Sequence, residues 1–179
     1  MFSGGANSDR PHGFKVIGTM SGGMPARSEE MKLAVANSII GVGDLLTIAA
    51  GYVDRSAASD TEIVGVAMEA KAASAGGDIL VCTDPGVILE AQTDASSGAG
   101  PADLNAQASM TYNADFVVTD ATNGLSRMEI NQDSGATTNT LPLKVIGLYP
   151  VLDNEFGDYN RLIVTINAHA RAKDKAGVA

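Results

Sequence analysis

The chain has no tryptophan, one cysteine and two histidines. A single thiol, Cys82, closes no intramolecular disulfide, which excludes the small secreted scaffold stapled by disulfides. Two distant histidines, His12 and His169, and one cysteine are too few for a clustered zinc site. Aromatic residues make up only 4% of the chain. A core built mostly from Ala, Val, Ile and Leu packs in thin layers and buries less area per residue. Positive charge is also scarce, and the net charge is −9. Nucleic-acid binding depends on a basic footprint that neutralises phosphates, so no nucleic-acid partner is expected. No apolar run approaches the ~20 residues of a membrane span, so no membrane partner is expected either. The first residues carry no basic stretch followed by an apolar one, and synthesis in a cytoplasm is expected.

Catalytic patterns are missing as well. There is no G-x-S-x-G elbow and no G-x-x-x-x-G-K-[ST] phosphate loop. Gly41-Val42-Gly43 lacks the third glycine and the helix of a dinucleotide fingerprint, and reads as a β-turn. His169 reads as an ordinary strand-end histidine, and His12 lies in a loose leading segment. Asp153, Glu155 and Asp158 offer oxygens to calcium, but Gly157 occupies the fifth position, where the calcium loop needs a ligand. Cys82, in an apolar run, packs as a small hydrophobe. No enzymatic activity, cofactor or metal is expected.

What the chain does have is glycine, 20 residues in 179, separating short alternating runs. Arg161–His169 is the clearest. Leu162, Val164, Ile166 and Ala168 point one way, and Arg161, Ile163, Thr165, Asn167 and His169 the other. It pairs with Leu141–Tyr149 across a polar, acidic loop. Leu45–Ala49 and Ile63–Ala70 read as further strands, the latter with Val64, Val66 and Met68 on one side. Met31–Ala36 reads as a strand in preference to a helix capped by Ser28-Glu29-Glu30. Ile79–Cys82 and Gly86–Ala91 are expected to pair around Thr83-Asp84-Pro85-Gly86. Asn123-Gly124 is the strongest hairpin turn, joining Phe116–Asp120 to Ser126–Asn131. Leu104–Tyr112 adds a short strand or one helical turn. Many short strands at near-regular spacing predict an all-β domain, a small barrel or sandwich, over residues 28–170. Residues 1–27 read as an extended N-terminal arm, Thr93–Asn105 as a polar contact loop, and 171–179 as a polar tail.

Charge is distributed unevenly. Between Asp84 and Asp133 eight acids face one base, Arg127. The first 27 residues carry Arg10, Lys15 and Arg27 against Asp9. Basic ends and an acidic middle would let one copy grip another; the plainer reading is solvated surface charge.

The segments VIGLY (145–149) and DNEFGDYNRLIVTINAH (153–169) together resemble the closing strands of capsid decoration, or cement, proteins of tailed bacteriophages. AVANSIIGVGDLLTIAAGYV (34–53), followed by EIVGVAMEA (62–70), resembles the opening strands of the same group, in which a short barrel follows a Gly-Asp turn. The resemblance implies a structural virion protein on the capsid exterior. It would bind the major capsid protein, stabilise contacts between subunits and assemble as a homo-oligomer, a trimer being favoured. Contacts are expected from Arg10, Phe14, Lys15 and Arg27 on the arm and from Phe156 and Tyr159 near the C-terminal hairpin. The alternative is a β-rich receptor- or glycan-binding module of a virion tail or surface, although the Thr93–Asn105 loop lacks aromatics on which a sugar would stack.

Overall fold

Aliphatic and β-branched runs, each broken within a few residues by Gly, Asp, Asn or Pro, fold as short strands. The computed structural model describes residues 7–23, 26–34, 39–58, 60–72, 76–96 and 103–172. In chain order the strands are β1 (Lys15–Thr19), β2 (Ser28–Lys32), β3 (Leu45–Ala49), β4 (Tyr52–Arg55), β5 (Gly65–Ala67), β6 (Asp78–Cys82), β7 (Val87–Gln92), β8 (Asn113–Ala114), β9 (Phe116–Val117), β10 (Glu129–Ile130), β11 (Leu143–Leu148) and β12 (Arg161–Ile166). Two short 3-10 turns, Gln107–Ser109 and Gln132–Ser134, interrupt the second half. The expected all-β class is thus observed, as sheets packed face to face.

The first sheet has the order β1-β7-β12-β11-β8, and the second β2-β6-β5-β3-β4. Between them lies the main core, which includes Leu45, Val66, Val87, Leu89, Phe116, Leu143, Leu162 and Val164. The second sheet buries its other face too, around Met31, Leu33, Leu46, Val53, Ile79 and Val81. It can do so because its edges meet: Leu33 bridges Val53, and the Ala34 amide donates to the Val53 carbonyl at 2.8 Å. The rolled sheet encloses its own small core, which is why successive residues such as Leu45 and Leu46 are both buried. Arg55, buried on β4, pairs with Asp44 at 3.3 Å and Asp120 at 2.8 Å. That link ties the second sheet to the loop joining β9 to β10.

Several expectations hold at the level of single turns. Asn123 and Gly124 have φ of 53° and 76°, and β9 pairs with β10. β11 and β12 form the C-terminal hairpin. Residues 104–112 contain a single helical turn. Others are corrected. β6 and β7 do not pair with each other. β6 is bonded on both sides by β2 and β5, and β7 by β1 and β12, so neither has a free edge. Thr83–Gly86 is therefore a corner between sheets, closed by the Asp84 carboxylate accepting from the Gly86 amide at 2.8 Å. Val64 and Val66 do not share a side: Val64 lies in the rolled sheet's core and Val66 in the main core, because the chain resets at Gly65, and Met68 is exposed.

The extended arm is not confirmed. Over its described residues the segment is built into the domain: β1 pairs with β7, and Phe14 is 1% exposed in the main core. Residues 1–6 and 24–25 of that segment lie outside the described residues, as do 35–36 of the expected strand, 97–102 of the polar loop and 173–179 of the tail.

Candidate functional site: a cationic cleft beside a fixed apolar loop

Along β7, Val87, Leu89 and Ala91 point into the main core. The alternate residues Ile88, Glu90 and Gln92 therefore lie on the outer face of the first sheet. Register places Lys15 of β1 opposite Glu90, and Arg161 of β12 opposite Gln92. Residues 7–12 cross this face as a strap. The Arg10 amide donates to Gln92 Oε1 at 2.8 Å, and Gln92 Nε2 donates to the carbonyls of Ser8 and Tyr159 at 2.6 and 3.0 Å.

Beneath the strap Glu90 is fully buried. A buried carboxylate needs compensating donors. Arg161 Nε supplies one at 2.7 Å, and His12 Nε2 stands 3.0 Å from both carboxylate oxygens. The other ring nitrogen of His12, Nδ1, lies 3.1 Å from the Arg10 carbonyl. Both partners of the imidazole are acceptors, so the imidazolium, which donates from both nitrogens, is the form this geometry stabilises. The hydrogen bond to Glu90 is accordingly the main cause that raises the pKa of His12. Burial alone would push the Glu90 carboxyl up; the bonds from His12 and Arg161 outweigh it and hold it at about 2. The guanidinium of Arg161 also lies over the Tyr149 ring, 4.9 Å from its centroid.

The loop between β11 and β12 forms one wall. Asn154 fixes it: Nδ2 donates to the carbonyls of Tyr149 and Arg161 at 2.7 and 2.9 Å, and Oδ1 accepts from the Arg161 amide at 2.8 Å. From the strap, Asn7 Nδ2 donates to the carbonyls of Glu155 and Asp158 at 2.8 and 3.0 Å. Asp153 and Tyr159 take positive φ, 63° and 59°, which costs free energy in non-glycine residues and persists where surrounding bonds fix it. The loop so fixed holds Leu152 88% exposed, with Val151 and Phe156 also exposed. Between strap, sheet and loop lies an open cleft of about 480 Å³, lined by Arg10, His12, Lys15, Tyr159 and Arg161 among others.

Of the six residues expected to make contacts, Arg10, Lys15 and Tyr159 come together here. Phe156 lies on the same loop. Phe14 is a core residue and offers no surface to a partner. Arg27 precedes β2 and pairs with Glu29 at 3.7 Å, apart from the cleft. Sequence reasoning missed Glu90, Gln92 and Arg161, and dismissed His12. The available signal was in VILEAQ (87–92), where Glu90 and Gln92 alternate with Leu89 and Ala91 and so mark a polar outer face. The acidic residues of the loop are partly committed to structure: Asp158 Oδ1 accepts from the Ser96 amide at 3.2 Å and from Gln132 Nε2 at 3.1 Å.

His169, the other histidine, is 1% exposed just beyond β12. Burial lowers its pKa to about 4, and Nδ1 accepts from the Arg171 amide at 3.0 Å. It is a neutral packed ring, away from the cleft lining. No family model, curated protein or solved structure matches this chain.

Proposed function

We propose that this protein is a structural virion component of the capsid-decoration kind. It binds the outer surface of an assembled shell and stabilises contacts between neighbouring major capsid subunits, acting by adhesion and not by catalysis. The observation that carries the reading is the β11–β12 loop. Leu152 stands 88% exposed on a backbone held by the side chains of Asn154 and Asn7. A fixed apolar prominence loses little entropy on docking. Covering Leu152 alone returns about 1.5–3 kcal/mol, and Val151 and Phe156 add to it. Such modest contacts suffice when several copies engage one lattice, because linked sites multiply in effect. A ligand that binds only the assembled shell then stabilises that shell. A homo-oligomer, with three copies favoured, supplies the multiplicity.

The test is co-sedimentation with expanded capsid shells. Wild-type protein is expected to pellet with shells, and Leu152→Asp combined with Phe156→Ser is expected to weaken binding at least tenfold while keeping the fold. Unchanged binding of that variant would remove the loop from the mechanism. Absence of wild-type binding to shells, together with recognition of a glycan panel, would favour the receptor-binding alternative.

A further inference from the structure

We infer that the cleft above Glu90 is a docking site for an acidic polypeptide segment, whose carboxylates lie among Arg10, Lys15 and Arg161 while an adjoining apolar side chain rests on Val151 and Leu152. The inference rests on the reading of this face as adhesive and supplies the chemistry of its partner.

Charge comes first. Arg10, Lys15 and Arg161 line the cleft, with His12 beside them, against Glu90 and Asp153, so it is locally positive on a chain of net charge −9. Glu90 spends only one oxygen–nitrogen bond on Arg161, through Nε. Among the described residues the terminal nitrogens of Arg161 and the side chains of Arg10 and Lys15 have no hydrogen-bond or ion-pair partner. Three cations with uncommitted donors around one opening are suited to an anion.

The type of anion follows from what the cleft lacks and what surrounds it. Phosphate cradles are commonly built from free backbone amides. Here the amides of Arg10, Glu155 and Arg161 are already bonded, to Gln92, Asn7 and Asn154. A nucleic acid or an anionic lipid surface would have to lie against the negative body beyond the cleft and would be repelled. A short acidic segment meets only the cleft. The wall of Val151, Leu152 and Tyr159 gives it an apolar neighbour, and the open shape admits an extended chain.

The experiment titrates poly-L-glutamate into the isotope-labelled full chain at low salt and follows backbone amide resonances. Shifts are expected at residues 8–15, 90–92 and 151–161, with affinity falling steeply as salt is added. The double variant Arg10→Glu/Lys15→Glu should lose about tenfold or more in affinity, and Arg10→Gln/Lys15→Gln should fall between. Both side chains are exposed and unbonded to the described residues; circular dichroism checks the fold, and if Lys15→Glu, opposite Glu90, disturbs it, the Gln pair carries the test. Shifts confined to other surfaces, full affinity in the charge-reversed variant, or equal affinity for inorganic phosphate would each overturn the inference. Poly-L-glutamate binding without shell binding would sink only the capsid reading. Shell binding through Leu152 without poly-L-glutamate binding would sink only this one.

Discussion

Replacing Glu90 by Gln keeps the shape of a buried side chain and removes its charge. In the folded protein the carboxyl is held at about 2, against an ordinary value of 4.5. At about 1.4 kcal/mol for each tenfold change in proton affinity, that difference amounts to about 3 kcal/mol of stability. The sign is fixed by direction. A depressed carboxyl contributes in full above its unfolded value, and the contribution fades as pH falls from 4.5 through about 2. His12 is shifted the opposite way, so its share is full below 6.5 and fades as pH rises through its higher folded value. Wild type should therefore exceed Glu90→Gln most between pH 4.5 and 6.5, with the gap narrowing on both sides. Because the amide still accepts one hydrogen bond, the expected gap is about 2–3 kcal/mol. Urea unfolding of both proteins across this range measures it. Glu129, which burial raises to about 7, titrates in both proteins and largely cancels in the difference. The His12 ring resonances supply a second readout: their titration midpoint should lie above 6.5 in wild type and drop in the variant. A gap below about 0.5 kcal/mol near pH 5.5, or one that does not vary with pH, would refute the account of Glu90 as a charged partner of His12 and Arg161.

Two further outcomes follow from buried positions. His169 has a folded pKa of about 4 against 6.5, so the unfolded chain takes up its proton first and stability falls as pH drops from 6.5 to about 4. Replacing it by Gln should flatten that limb of the stability profile, by up to about 3 kcal/mol, in the same urea series. A Cβ at Gly65 would lie 2.0 Å from the Cys82 carbonyl oxygen, a backbone atom that cannot yield. Gly65→Ala should cost at least about 3 kcal/mol in thermal or urea unfolding, whereas Gly147→Ala, with nothing within 4 Å, should stay within about 1 kcal/mol.

Local chemistry made the strands legible and left their partners hidden. The alternation over Arg161–Ile166 and the Asn123-Gly124 turn are recorded in adjacent residues, and both appear as expected. Which strand lies beside which is decided by free edges and total burial, and no short window contains that. Asp84-Pro85-Gly86 reads the same whether it closes a hairpin or turns a corner between sheets. Ile63–Ala67 reads as an unbroken run, because the approach of the Cys82 carbonyl to Gly65 is visible only in three dimensions. The site was half legible for the same reason. Charge marks Arg10 and Lys15 in the sequence, and a place beside the C-terminal hairpin marks Tyr159. Phe14 reads as an arm residue because glycine and proline around it make the segment look loose, although a single large side chain suffices to anchor it in the core. His12 and Glu90 stand 78 residues apart, and only the strap lying over β7 brings them together.

The strap joins Asn7 to Glu155, 148 residues away in sequence. Contacts of that span form late and slowly, since the intervening chain must first be gathered. During synthesis the N-terminal half leaves the ribosome while the cleft face still lacks one wall and part of its floor. A chain cut short before the last hairpin could not display that face at all. Only finished copies would then carry the complete cleft, and the fold itself would act as the inspector.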